Sequence, residues 1–218
     1  MVPLTDYTSI RMNILTNDSY DRNKIETFDH SKLAEKGYMQ SQRDWKNIEM
    51  TGYIKLNKFD IEKENGEFQW YNRGGLHDNI ECEGVGYKGN LFFDGKTRFA
   101  KEQWHVSYVF VDKKDGSEKD LEGNWIGYKY IVYNIEDKKS GQTFVKMENW
   151  IDDDGGDSSS NIGQNNWKKV YEYIDNGDWG KEGEECSGKK DQIITWGGPI
   201  ATFVFVNEFI NRVSTDMN

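Results

Sequence analysis

The chain has 218 residues and a formal net charge of −10, long enough for one domain or at most two small ones. The acidic balance argues against nucleic acid as a partner, because phosphate binding needs a positive footprint. A local group of Lys and Arg still leaves room for an anionic ligand, and an aromatic content of 14%, with 8 Trp and 12 Tyr, excludes an acidic disordered chain.

Residues 1–44 are polar and weakly patterned, with short strands expected at TSIRMNIL and KIETFD and one helical turn in DHSKLAEKG. The opening MVPLTDYTSIRMN lacks the apolar core of a signal peptide, so an exported form would be a mature chain or part of a longer one. From Trp45 onward, apolar and polar residues alternate between clusters of Gly, Asn and Asp. Strands are expected at 47–58, 67–73, 86–93, 98–111, 125–134, 143–151, 167–174, 192–196 and 200–206. No apolar run approaches the ~20 residues of a membrane span. The expectation is a single all-β domain over 1–218, a two-sheet antiparallel sandwich with residues 1–44 less regular.

Period-2 reading of RFAKEQWHVSY, residues 98–108, sets Lys101, Gln103 and His105 on one face. With Trp104, Val106 and Phe110 assigned to the core, that row looks outward as the floor of a site. In FQWYNRGGLH, Gln69, Tyr71 and Arg73 are expected to share a face, and His77 follows a Gly-Gly pair. In VKMENWID, Lys146, Glu148 and Trp150 alternate with a core-like Val145, Met147, Asn149 and Ile151. In GYKYIVYN, Lys129 and Tyr133 face away from Tyr128 and Tyr130. Trp196 begins a WGGP corner where glycines let the backbone turn and a ligand approach. Rings that stack on sugars, amides that bond hydroxyls and cations that hold carboxylates suit an extended polysaccharide. The plain alternative is a hydrated outer sheet.

The loop DDDGGDSSSNIGQNN offers Asp152, Asp153, Asp154 and Asp157 as oxygen ligands for a structural Ca²⁺, although its spacing is not that of an EF-hand. An ordinary solvated hairpin loop is the other reading. Cys82 and Cys186 are the two cysteines; they would pair in a secreted protein and stay thiols in a cytosolic one. Zinc is not expected, since the histidines are scattered and no Cys-x-x-Cys occurs.

The segments WKNIEMTGYIK, ECEGVGYKG, RFAKEQWH, WIGYKYIVYN, VKMENWID and DQIITWGGPIATFVF resemble a group of secreted microbial proteins with the concanavalin A-like jelly roll. That group is related to the jelly-roll polysaccharide lyases that act on alginate and glucuronan. Gln103-Trp104-His105 is similar to the Gln-x-His signature of the alginate lyases, and YKYIVYN to their Tyr- and Lys-bearing strand. The resemblance implies a secreted or surface-located monomer without a required cofactor, and a disulfide between Cys82 and Cys186 is expected with it.

It also implies β-elimination on a uronic-acid polysaccharide. Gln103 with Arg73 or Lys101 would neutralise the uronate carboxylate, His105 or His77 would take the C5 proton, and Tyr133 would protonate the leaving oxygen. Lys129, Lys146, Glu148, Trp150, Tyr71 and Trp196 would hold the chain. Two alternatives stand beside this one: a carbohydrate-binding module without chemistry, and a structural or surface jelly-roll domain. A glycosidase built on two of Glu49, Glu83, Glu102 and Glu148 ranks behind them.

Overall fold

The computed structural model describes residues 8–15, 45–57, 66–74, 85–103, 107–156, 163–180, 190–198 and 200–207. Among them are ten strands and no helix: β1 (Thr8–Leu15), β2 (Ile48–Ile54), β3 (Gly66–Gly74), β4 (Gly86–Phe92), β5 (Thr97–Gln103), β6 (Ser107–Phe110), β7 (Ile126–Glu136), β8 (Thr143–Asp152), β9 (Lys168–Asp175) and β10 (Ile200–Asn207). They form two antiparallel sheets, a six-stranded one in the order β1-β10-β3-β4-β5-β6 and a four-stranded one in the order β2-β7-β8-β9.

Alternation decides which residues lie between the sheets. Tyr128, Tyr130 and Val132 of β7 and Val145, Met147 and Ile151 of β8 are buried there against Phe68, Tyr87, Leu91 and Phe99 of the six-stranded sheet. This is the set the period-2 pattern of YKYIVYN and VKMENWID leads one to expect. The Tyr128 and Tyr130 side chains press against Gly89 of the other sheet, where an added Cβ would stand 2.6 Å from the Tyr130 ring and 2.7 Å from the Tyr128 hydroxyl. Between β4 and β5, Gly95 takes φ +83°, and Gly95 N–H donates to Phe92 O at 2.9 Å. A residue with a Cβ adopts that conformation at a cost, so Asp-Gly is the natural sequence for this tight reversal.

Three expectations about elements are corrected. Residues 98–111 are not one strand: β5 ends at Gln103 and β6 returns antiparallel, pairing Gln103 with Ser107 and Ala100 with Phe110. Residues 192–196 form no strand. Ile194 is held instead by side chains: its N–H donates to the Tyr87 hydroxyl at 3.0 Å, and its carbonyl accepts from Arg73 Nη1 at 2.6 Å. Third, Arg73 does not share a face with Gln69 and Tyr71. A register shift where β10 pairs with β3, and a φ of +59° at Arg73, turn its side chain to the interior, over the Tyr87 ring at 5.9 Å. The strand expected at 8–15 is β1. The strand at KIETFD and the helical turn in DHSKLAEKG lie outside the described residues. No helix among the described residues is long and apolar enough to cross a membrane.

Candidate functional site

The residues expected to form one site fall on three surfaces. The first is the interior. Lys101 and Gln103 alternate with Glu102 and point between the sheets, with Lys101 0% and Gln103 1% exposed. Lys101 Nζ pairs with Asp175 Oδ2 at 2.7 Å and donates to the carbonyls of Trp179, at 2.8 Å, and Gln192. The same Asp175 oxygen accepts from the Tyr87 hydroxyl at 2.6 Å. Burial lowers the Lys101 pKa, and the Asp175 charge opposes that shift. Gln103 lies beside Gly180. The Lys–Gln row is therefore not an open floor. It is a polar clamp joining β5 of one sheet to β9 of the other and to the segment 190–198.

Arg73 and Trp196 belong to this interior as well. Arg73 Nε donates to Lys46 O at 2.9 Å, and burial pulls its pKa down to about 10. Trp196 is 8% exposed, so it is no rim residue.

The outer face of the four-stranded sheet is the second surface. It carries Lys129, Tyr133, Lys146, Glu148 and Trp150. Tyr133 O–H donates to Glu148 Oε1 at 3.0 Å and Trp150 Nε1–H to Oε2 at 2.9 Å. Lys146 Nζ is 3.4 Å and Lys169 Nζ 3.7 Å from the same carboxylate. Burial raises the Glu148 pKa, but these hydrogen bonds and charges outweigh it and leave the group below its ordinary value. At one end, Asp152 accepts from the Tyr53 hydroxyl at 2.7 Å. Burial and that bond push the Tyr53 phenol up to about 12. Asp153 accepts from Glu118 N–H at 3.1 Å and Asp154 from Gln164 N–H at 2.9 Å. These carboxylates point to separate protein donors, and among the described residues no group of His, Cys, Asp and Glu is arranged to hold a metal ion.

The third surface is the outer face of the six-stranded sheet, where Tyr71 and Gln69 lie as expected together, with Glu102 of the glycosidase alternative. Alternation with Tyr87 and Gly89 puts Lys88 and Asn90 of β4 on it, and alternation with Phe99 and Lys101 puts Arg98 and Glu102 of β5 on it. Tyr108 O–H donates to Glu102 Oε1 at 2.8 Å, and Lys88 Nζ lies 3.4 Å from Glu102 Oε2. The same ammonium sits 4.3 Å from the centre of the Tyr108 ring and 5.2 Å from that of Tyr71. Glu102 is 0% exposed, whereas Tyr108 is 37% exposed. Burial lowers the Lys88 pKa, opposed by the Glu102 charge. Burial also raises the Tyr71 phenol well above its ordinary value, with the Glu102 charge acting in the same direction.

Further along the strands the register aligns Gln69, Asn90 and Arg98 in one cross-strand row. Glu67 accepts from Gln69 Nε2 at 2.5 Å and from Asn90 Nδ2 at 2.9 Å, and pairs with Arg98 at 3.4 Å. The Arg98 guanidinium stacks between Phe92 at 4.8 Å and Phe110 at 4.1 Å. This face combines cations, amides, buried carboxylates and one part-exposed phenol. Reading 98–111 as a single strand concealed it, because Glu102 and Arg98 were assigned to the inward parity.

Gln103 and Tyr133, expected to act together, are thus in the interior and on the opposite sheet's outer face. His77, His105, Asp157, Cys82 and Cys186 lie outside the described residues. Compared with known proteins, the chain matches no protein-family model, no curated protein and no solved structure.

Proposed function

We propose that the protein binds a uronic-acid polysaccharide and cleaves it by β-elimination on the outer face of the six-stranded sheet, the two sheets forming a concanavalin A-like jelly roll. The observation that carries this reading is the Tyr108 phenol: the residue is part exposed, its hydroxyl is oriented by the buried Glu102, and its ring lies beside the Lys88 ammonium.

Elimination removes the C5 proton of a uronate and expels the 4-linked sugar as its C4–O bond breaks. The C5 proton is weakly acidic while the adjacent carboxylate keeps its full charge, so a cation or a hydrogen-bond donor must first neutralise it. Lys88 is the cation next to the phenol. The Gln69–Asn90–Arg98 row, about 13 Å along the strands at ~3.3 Å per residue, would take acid groups of sugars further along the chain. Tyr108 is the proton donor to the leaving oxygen, and the nearby ammonium stabilises the phenolate that results. His105, in the sequence between β5 and β6, supplies the base in this scheme. Both carboxylates of this face are enclosed by protein donors, which favours phenol chemistry over the two-carboxylate hydrolysis that needs one acid and one base at the glycosidic bond.

The test is ultraviolet absorbance of the C4–C5 unsaturated product, with alginate, glucuronan, pectate, ulvan and glycosaminoglycans as substrates, with and without Ca²⁺. A rise on an acidic polymer supports elimination. A flat trace across the panel, with binding retained, would favour a carbohydrate-binding module. No binding at all would favour a structural domain.

A further inference from the structure

The outer face of the four-stranded sheet takes no part in that chemistry, yet it is built in a specific way. Cross-strand register sets Lys129 of β7 on one side of Trp150 and Lys169 of β9 on the other. Lys169 Nζ lies 5.9 Å from the centre of the Trp150 ring. The indole is held by its polar edge, since Trp150 Nε1–H and the Tyr133 hydroxyl bond the two oxygens of one carboxylate, Glu148. Both rings remain partly exposed. At the end of the same face lies a second indole, Trp167, with Lys129 Nζ 4.5 Å from its centre and the Tyr53 ring at 5.6 Å. Gly127 leaves room for it there, because a Cβ on that residue would come within 2.8 Å of the Trp167 ring.

The charges are sorted by row. Lys129, Trp150 and Lys169 are in register with one another, while Glu49, Ile131, Glu148 and Glu172 make up the adjacent row. A ring fixed in advance loses little freedom when a sugar stacks on it. An ammonium on either side of that ring can meet the carboxylates of successive acidic sugars. Lys129 pairs with Glu49 at 3.3 Å and Lys169 with Glu172 at 2.5 Å. Glu49 and Glu172 are half exposed, so these are weak surface pairs that a polyanion can exchange for its own carboxylates at little cost, whereas a neutral glycan gains from the ring alone.

We propose that Lys129, Trp150 and Lys169 form a second, non-catalytic binding row for an acidic polysaccharide chain, on the sheet opposite the phenol site. It shares the polymer class of the preceding proposal and does not need its chemistry. Two sites on opposite faces would raise retention on long chains through effective concentration, without altering turnover of short ones.

The experiment is affinity electrophoresis of the full chain through gels containing alginate, polygalacturonate or hyaluronan, with methylcellulose as the neutral control. Tyr108→Phe serves as the parent, so that the polymer stays intact. Trp150→Ala and, separately, the pair Lys129→Gln with Lys169→Gln are expected to weaken retention on the acidic polymer by about ten-fold or more, and the lysine pair to leave any retention on methylcellulose unchanged. The lysine pair decides the matter if Trp150→Ala fails to fold. The proposal is overturned if the folded variants stay within about two-fold of the parent, or if no acidic polymer retards the parent. A chain that yields no unsaturated product, yet loses acidic-polymer retention on these substitutions, would sink the lyase reading and uphold this one.

Discussion

Replacing Lys101 by Met tests the interior clamp. At 2.7 Å and an effective dielectric constant of about 20, the attraction between Lys101 and Asp175 is about 6 kcal/mol. Desolvating each ion costs several kcal/mol, so the intact pair is close to break-even. Removing one partner is different, because it leaves an uncompensated buried charge and costs about 3–5 kcal/mol. The two deletions are not equivalent. After Lys101→Met, Asp175 keeps the Tyr87 hydroxyl at 2.6 Å and the Gly177 N–H at 3.1 Å, so about 3 kcal/mol is expected. After Asp175→Leu, the ammonium keeps the neutral carbonyls of Trp179 and Gln192 and the Asp191 charge, with no carboxylate in direct contact among the partners described, and about 4 kcal/mol is expected. The double variant should lose less than the sum by about 2 kcal/mol or more. Urea unfolding of the four proteins measures all three quantities. Additivity within about 0.5 kcal/mol, or a larger loss from Lys101→Met than from Asp175→Leu, would refute the reasoning.

Other consequences follow from the outer faces and the packing. Glu148 has its folded pKa below the ordinary 4.5, so its contribution is full above that value and is lost as pH falls through the lowered folded value. Glu148→Gln should therefore flatten the acid limb of the stability curve below pH 4.5, and an unchanged limb in urea melts across pH would count against the Tyr133–Glu148–Trp150 network. Gly89→Ala forces a methyl against Tyr130 and Tyr128 and should cost about 1–3 kcal/mol by overpacking; a neutral result would mean that the sheets do not approach there as closely as described.

The sandwich was legible in the sequence because most strands here follow period-2 alternation with one apolar face, as in VKMENWID, where Val145, Met147 and Ile151 are buried as the pattern requires. The site was not. Lys101 and Gln103 look solvent-facing by residue type, but Asp175 and the Trp179 and Gln192 carbonyls make the interior hospitable to the lysine, and those partners are remote in the chain. Arg73 breaks parity through a bulge that the following Gly74-Gly75 only hinted at. Glu102 and Lys88 meet only because β5 folds back into β6 and brings Tyr108 beside them; no local spacing announces that hairpin. The sequence placed Tyr71 on an outer face but not its neighbours Lys88 and Glu102, because register between β3, β4 and β5 is a tertiary property.

The most direct test of the central claim is the turnover of Tyr108→Phe beside the native chain, on whichever acidic polymer yields unsaturated product. Loss of the phenolic O–H should lower kcat by about 10²–10⁴-fold, the range of general acid–base catalysis. Polymer affinity should stay within about three-fold of native. A variant that cleaves at the native rate would contradict the placement of the chemistry on the outer face of the six-stranded sheet.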